Sequence, residues 1–486
     1  MADELARLDA TDQAELVRSG RISPAELVDA AIDRLERLDS ELNAVIHPAL
    51  ELARERARSA DLEDGPFRGV PMLMKDIGGE EAGRPVHAGL AFAKRAGYTA
   101  PEDSYLTRRF KSAGLVSLGR TNTPELALLP TTEPEAYGPT RNPWNTDHSS
   151  GGSSGGASAA VAAGIVPVAH ASDGGGSIRG PASMCSLVGL KPTRGRSSFG
   201  PGLGERWSGL SCEFVLSRTV RDSAALLDVV AGPMPGDPYF AAPPADSFRS
   251  ATRDERRPLR IGFRTAPPGG LAVHPEIRRA VARCAQRLVD LGHRVEEAHP
   301  AALDDPQTTI HYVTVVAGNV ARALDAWGEK VGAPVTQDDV EPLTWELALR
   351  GRELTAPRFL ATLEYVHRFG RRLAEWWEGG FDLLLTPTQA MPPVRIGTLG
   401  STREQPLAGF LRCAPYGVFT LPFNLSGQPA LSLPGGFTEG DGEWPGGLPL
   451  GVQLVARFGG ERTLLGVAAA LEEAAPWTDE VPPHFG

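Results

Sequence analysis

The sequence predicts an α/β fold with a mixed, mostly parallel β-sheet. Three observations carry that expectation. Short apolar runs alternate with helical patterns along most of the 486 residues. Some of those runs, such as IVPVAHASD from Ile165, are apolar throughout, as strands covered on both faces are. No internal repeat or long low-complexity tract interrupts the alternation, which excludes a solenoid.

The chain opens with a polar helical layer. Residues 12–18 read as a short helix that Gly20 can stop. Ser23-Pro24-Ala25-Glu26 is a capping box with proline at the first helical position. Leu27, Ala31, Leu35 and Leu38 follow at helical spacing. FRGVPMLMKD, from Phe67, reads as an apolar strand with Lys75 near its end, and LVSLGRTN, from Leu115, as another. TRNPWNTDHSS has the composition of an ordered loop. Residues 157–163 are small and suit a helix, and IVPVAHASD then runs as a strand into a glycine-rich knot. VGLKPTRGR reads as a turn and SRTVRDSAALLDVVAG as a helix with aspartate in its first turn. AAPPADSFRSATRDERRP, from Ala241, reads as a surface crossover and subdomain edge. LRIGFRT restarts the sheet, and EIRRAVARCAQRLVDLGHRVEEA gives an amphipathic helix followed by a strand. Residues 304–380 read as helical and aromatic, with Trp327, Trp345, Trp376 and Trp377. FDLLLTPT, GQPALSLPGG and GLPLGVQLVA return to strand, and ERTLLGVAAALEEA closes the chain as a helix.

Composition bounds the function. A hydrophobic fraction of 41% with 22% charged residues is that of a soluble globular protein with a large core. The formal net charge of −11 gives no global attraction for nucleic acid or an anionic membrane. Cys185, Cys212, Cys284 and Cys413 are scattered and form no CxxC pair, so neither a disulfide framework nor a zinc site is expected. The N-terminus lacks a signal-peptide pattern and no apolar run spans a bilayer, so the expected location is the cytoplasm. No cofactor and no metal are expected.

Two glycine-rich knots hold the chemistry. Gly151-Gly152-Ser153-Ser154-Gly155 and Gly174-Gly175-Gly176-Ser177 each place serine on a permissive backbone. A glycine run can turn several N–H groups into one concavity, which binds a developing negative charge. A hydroxyl beside it is the arrangement acyl transfer needs. A phosphate-binding loop would need a following Lys-Ser/Thr that neither knot has. Gly151 to Gly155 also fits G-x-S-x-G, but loop-like sequence precedes it, and His170, His274, His293, His299, His311 and His367 all stay open as partners. In a third reading the base is a lysine made neutral by burial, and Lys75 at the end of its apolar strand is the candidate.

Gly69-Val70-Pro71-Met72-Leu73-Met74-Lys75-Asp76, the Ser153 knot, Asp173-Gly174-Gly175-Gly176-Ser177-Ile178-Arg179 and Gly189-Leu190-Lys191-Pro192-Thr193 together resemble the amidase signature family in order and spacing. The match is dense over residues 67–195. The resemblance implies a single domain built on one large sheet with helices on both faces. Residues 1–65 would be an N-terminal helical layer, 66–240 the signature core, 241–380 a helical substrate-side region and 381–486 the closing strands and helix. It implies a Ser–cis-Ser–Lys triad: Ser177 as nucleophile, Ser153 as the bridging serine after a cis peptide bond, and Lys75 as base. Backbone N–H groups of Gly174, Gly175, Gly176 and Ser177 would form the oxyanion hole. Ser154 and Asp173 would hold the network, and Arg179 would brace the loop through an ion pair. The family often has a larger residue where Gly174 stands, so a more flexible oxyanion loop is expected, and commonly glycine where Ser186 stands.

Outside the core, the N-terminal helices, TTEPEAYGPTRNPWN, LPFNLSGQPALSLP and GLPLGVQLVA resemble the branch of that family acting on nylon oligomers. This implies a small linear or cyclic amide as substrate, with anilides and carbamates or urethanes also open. Tyr312, Trp327 and residues 390–419 are candidate pocket walls. The alternative is the glutaminase subunit of a tRNA-dependent amidotransferase. No nucleic acid or membrane partner is expected, and self-association would be as a homodimer.

Overall fold

Pro71–Lys75, Val168–Asp173 and Leu383–Pro387 are buried at every position, so their backbone groups find partners only in neighbouring strands. A computed structural model describes residues 2–253 and 257–485. Its strands are β1 (Val45–Pro48), β2 (Pro71–Lys75), β3 (Val116–Thr121), β4 (Arg141–Asn142), β5 (Asn145–Ser149), β6 (Val168–Asp173) and β7 (Val188–Lys191). They continue as β8 (Cys212–Ser217), β9 (Arg260–Phe263), β10 (Arg294–Glu297), β11 (Leu383–Pro387), β12 (Ala430–Phe437) and β13 (Pro449–Ala456).

Among the described residues, one 11-stranded sheet runs in the order β1-β3-β2-β6-β8-β7-β12-β13-β11-β9-β10. It is mixed, as expected. Parallel pairing joins β3, β2 and β6 on one side and β11, β9 and β10 on the other. Antiparallel pairs link these two segments through the middle. Successive side chains on a strand face opposite sides, and both sides are buried on β2, β6, β8 and β13, so helices cover both faces. The sheet continues without a break past the expected subdomain edge; residues 254–256 of that crossover lie outside the described residues.

Local sequence explains most elements. The Ser23 hydroxyl accepts from Glu26 N at 3.2 Å while Glu26 Oε2 accepts from Ser23 N at 2.8 Å, closing the capping box of helix Pro24–Leu42. The first predicted helix starts earlier, at Ala10, because the Asp9 carboxylate accepts from Asp12 N. Two expectations are corrected. TRNPWNTDHSS is not an open loop: β4 and β5 pair across it, and Asn142 Nδ2 donates to Ser149 O and Met184 O. VGLK is a strand, not part of a turn, held between β8 and β12. Cys212–Ser217, which carries no expectation, fills the gap between β6 and β7. No described helix is long and apolar enough to cross a membrane.

Ser186 shows why its position favours glycine. Its φ is 57°, in the left-handed region, just after helix Arg179–Met184. Ser186→Gly is therefore expected to stabilise the protein by about 0.5–1 kcal/mol, after the entropic cost of glycine in the unfolded chain. A higher urea midpoint at unchanged slope checks it; a lower midpoint contradicts it.

Candidate active site

The site forms where the C-terminal ends of the parallel strands β2 and β6 meet the two glycine knots. Lys75 is the last residue of β2 and is fully buried. Its amide donates to His170 Nδ1 at 3.2 Å. Arg120 fixes the turn beyond it, with Nη1 on Lys75 O and Gly78 O and Nη2 on Gly79 O. Asp76 accepts from the amides of His87 at 2.8 Å and Gly89 at 3.1 Å, which folds the next segment back.

Lys75 Nζ touches three hydroxyls: Ser153 Oγ at 2.7 Å, Ser154 Oγ at 2.9 Å and Ser172 Oγ at 2.9 Å. Ser154 gives its own proton to Ser172 O at 3.3 Å, so its oxygen faces the amine as an acceptor. Ser153 stands closest and is free to donate into a neutral amine. Burial lowers the Lys75 pKa to about 7; the charges of Asp173 and Glu213 act against this and that of Arg206 assists it. The Gly152–Ser153 peptide bond is cis, and Thr123 Oγ1 holds Ser153 O at 2.8 Å.

The second knot is held by Asp173, the last residue of β6. Its carboxylate accepts from Gly176 N at 2.8 Å, Ile178 N at 3.1 Å and Arg179 Nε at 3.0 Å. Burial opposes its ionisation, but the Arg179 charge and hydrogen bonds from Arg179 and Asn424 hold it well below the usual carboxylate range. Arg179 also donates to Thr420 O at 2.9 Å, Gln453 Oε1 at 2.8 Å and Asn424 Oδ1 at 2.6 Å. The structure thus brings Asp173 and Arg179 together as a buried pair.

Gly176 has φ 137°, and a Cβ there would meet Thr420 Oγ1 at 2.4 Å, so glycine is required. Its N–H is already engaged by Asp173. The N–H groups of Gly174, Gly175 and Ser177 meet no acceptor among the described residues, and they carry the oxyanion geometry. Gly174 does not serve flexibility: a Cβ there would lie 2.9 Å from the Trp207 ring, which fills that space.

Ser153 and Ser177 line one cavity of about 290 Å³. Leu126, Leu128, Tyr312, Phe410, Tyr416 and Leu421 give it an apolar wall. Tyr312 and part of residues 390–419 are therefore wall residues as expected, whereas Trp327 lines a neighbouring cavity. None of the six candidate histidines lines the catalytic cavity among the described residues, and His170 sits behind Lys75 in the sheet. Ser172, Trp207, Thr420 and Asn424 belong to the site without any sequence expectation. Ser172 alone left a signal, in the β6 alternation that places it two residues after His170. Among the described residues no cluster could hold a metal ion.

The sequence profile of the amidase family matches residues 26–465. The chain belongs to the amidase family. This amidase is 44% identical to the 6-aminohexanoate-cyclic-dimer hydrolase of Pseudomonas sp. (strain NK87), over 98% of this chain and 96% of that protein. A solved structure of 6-aminohexanoate cyclic dimer hydrolase complexed with substrate superposes with a TM-score of 0.94 at 43% identity, covering 99% of this chain and all of that one. A bacterial aryl acylamidase of the amidase signature family superposes with a TM-score of 0.85 at 31% identity, with 97% of each chain covered. The protein is an amide-hydrolysing enzyme.

Arg179→Ala leaves Asp173 charged, buried and unpaired, and is expected to destabilise the amidase by about 3–5 kcal/mol. Denaturant unfolding measures this; a change below about 1 kcal/mol would contradict the bracing role.

Proposed function

We propose that this amidase hydrolyses small linear or cyclic amides through an acyl-enzyme on Ser177, with Ser153 and Lys75 as its proton relay. The observation that carries the reading is the buried Lys75 amine at 2.7 Å from Ser153 Oγ, in a site whose second serine follows three glycines. Ser177 Oγ attacks the carbonyl carbon while its proton passes through Ser153 Oγ to Lys75 Nζ. The N–H groups of Gly174, Gly175 and Ser177 stabilise the oxyanion. The C–N bond then breaks, and Lys75 returns the proton through Ser153 to the leaving nitrogen. Water hydrolyses the Ser177 ester by the same relay and releases the acid.

The apolar wall suits an alkyl or aryl substrate. Its likeness to the cyclic-dimer hydrolases and to the aryl acylamidase favours nylon-type amides and anilides, and the same steps would cleave a urethane. A free glutamine would place a charged α-amino acid head against Leu128, Phe410 and Leu421, so the glutaminase reading has no support in the cavity.

Two outcomes test the mechanism. Ser177→Ala is expected to lower kcat by at least about 10⁴-fold on a panel of anilides, cyclic amides and urethanes. Full turnover in that variant would overturn the assignment. Because Lys75 must be neutral to act, kcat/KM is expected to rise with pH through about 7 and level off above it. Lys75→Met should abolish that limb together with about 10²–10⁴ of the rate; an unchanged limb in that variant would assign it to another group.

A further inference from the structure

The catalytic cavity shares a wall with a second cavity of about 480 Å³. Ile77, Leu126, Arg206 and Trp207 line both. Trp207 stands at the seam, with φ 55° and its ring against Gly174. Arg206 is the only charged side chain among the described residues lining the catalytic cavity.

The Arg206 guanidinium is under-used. Nη2 reaches Glu80 Oε1 at 3.4 Å, a long contact, and Nε is buried with no acceptor among the described residues. Buried donors are normally satisfied, and an orphan at a cavity wall calls for a ligand. A guanidinium presents its N–H groups as a planar fork that matches a carboxylate.

The other acids around this second cavity are engaged. Glu205 accepts from Gly209 N, and Glu102 pairs with Arg108 at 3.3 Å. Glu213 feels the Arg206 charge, but burial pushes its carboxyl up to about 7 and it faces His170 Nε2 at 3.8 Å. At the outer rim Lys330 adds a second cation, its Nζ 4.7 Å from the Trp327 ring centroid. Ile77, Leu126 and Trp207 form an apolar passage between the reacting serine and these charges.

We propose that Arg206 recognises a carboxylate on the substrate, seated in the second cavity, so that the preferred amides are extended chains with a terminal carboxylate. This rests on the amidase reading above and names the substrate class for it. Lys330 supports the same charge from the rim.

The test compares two matched pairs on the purified enzyme. N-acetyl-6-aminohexanoate against N-acetyl-6-aminohexanol places the carboxylate on the amine side of the scissile bond. The monoanilide of adipate against hexananilide places it on the acyl side. The readout is the ratio of kcat/KM, charged over neutral. In the wild type one pair is expected to show a preference of about tenfold, carried by KM. Arg206→Gln should bring the ratio to about one, and Arg206→Lys should keep part of it. The ratio removes any effect of the Arg206 charge on Lys75, which acts on both members of a pair.

A ratio near one in both pairs, or a preference that survives Arg206→Gln, overturns the proposal. Adipate inhibiting the neutral compounds without competing with them would make the cavity an effector site and overturns it too. Turnover of the neutral compounds without charge preference fails this subsite alone. Inertness of all four compounds fails the small-amide reading itself, and this proposal with it.

Discussion

An amine that must be neutral to act has to be taken out of water, and the sheet does this to Lys75. Burial lowers its pKa to about 7, and three hydroxyls replace the lost solvent at 2.7–2.9 Å. The strands on either side of β2 hold the backbone that carries it, and Arg120 closes the turn beyond. The catalytic arrangement depends on this one side chain being dry and still hydrogen-bonded. A charged lysine in that position would have no carboxylate partner to offset its desolvation.

A second buried charge does the opposite work. Asp173 stays ionised because Arg179 and several N–H donors surround it, and so it can hold the glycine knot by its amides. The groups that steady Arg179 come from far along the chain, at Thr420, Asn424 and Gln453. The closing third of the sequence therefore shapes a loop that lies in its first half. The two knots look alike in sequence but differ in use: one sets a hydroxyl against an amine, the other exposes backbone N–H groups beside the cavity.

Trp207 links the knot to the substrate. Its ring occupies the space that a side chain at residue 174 would take, so Gly174 is explained by contact rather than by mobility. The same ring separates two cavities whose shared wall includes Arg206. Shape and charge at this seam, rather than the triad, distinguish one amide from another.

The sequence by itself determined the α/β class, most strands and helices, and the residues Lys75, Ser153, Ser177, Asp173 and Arg179. These are legible because hydrophobic period, capping residues and glycine-rich motifs are local signals. VGLK and TRNPWNTDHSS were not legible as strands, since short segments rich in Gly, Pro and Asn take their structure from the partners they meet. Ser172, Trp207, Thr420 and Asn424 were not legible as site residues, because nothing near them in the chain marks them. Only the tertiary structure decided that Gly176 spends its N–H on Asp173, that Trp207 fills the place beside Gly174, and that Arg206 faces both cavities. Each of these is a contact between segments distant in sequence, fixed by how the sheet and its covering helices pack rather than by any local pattern.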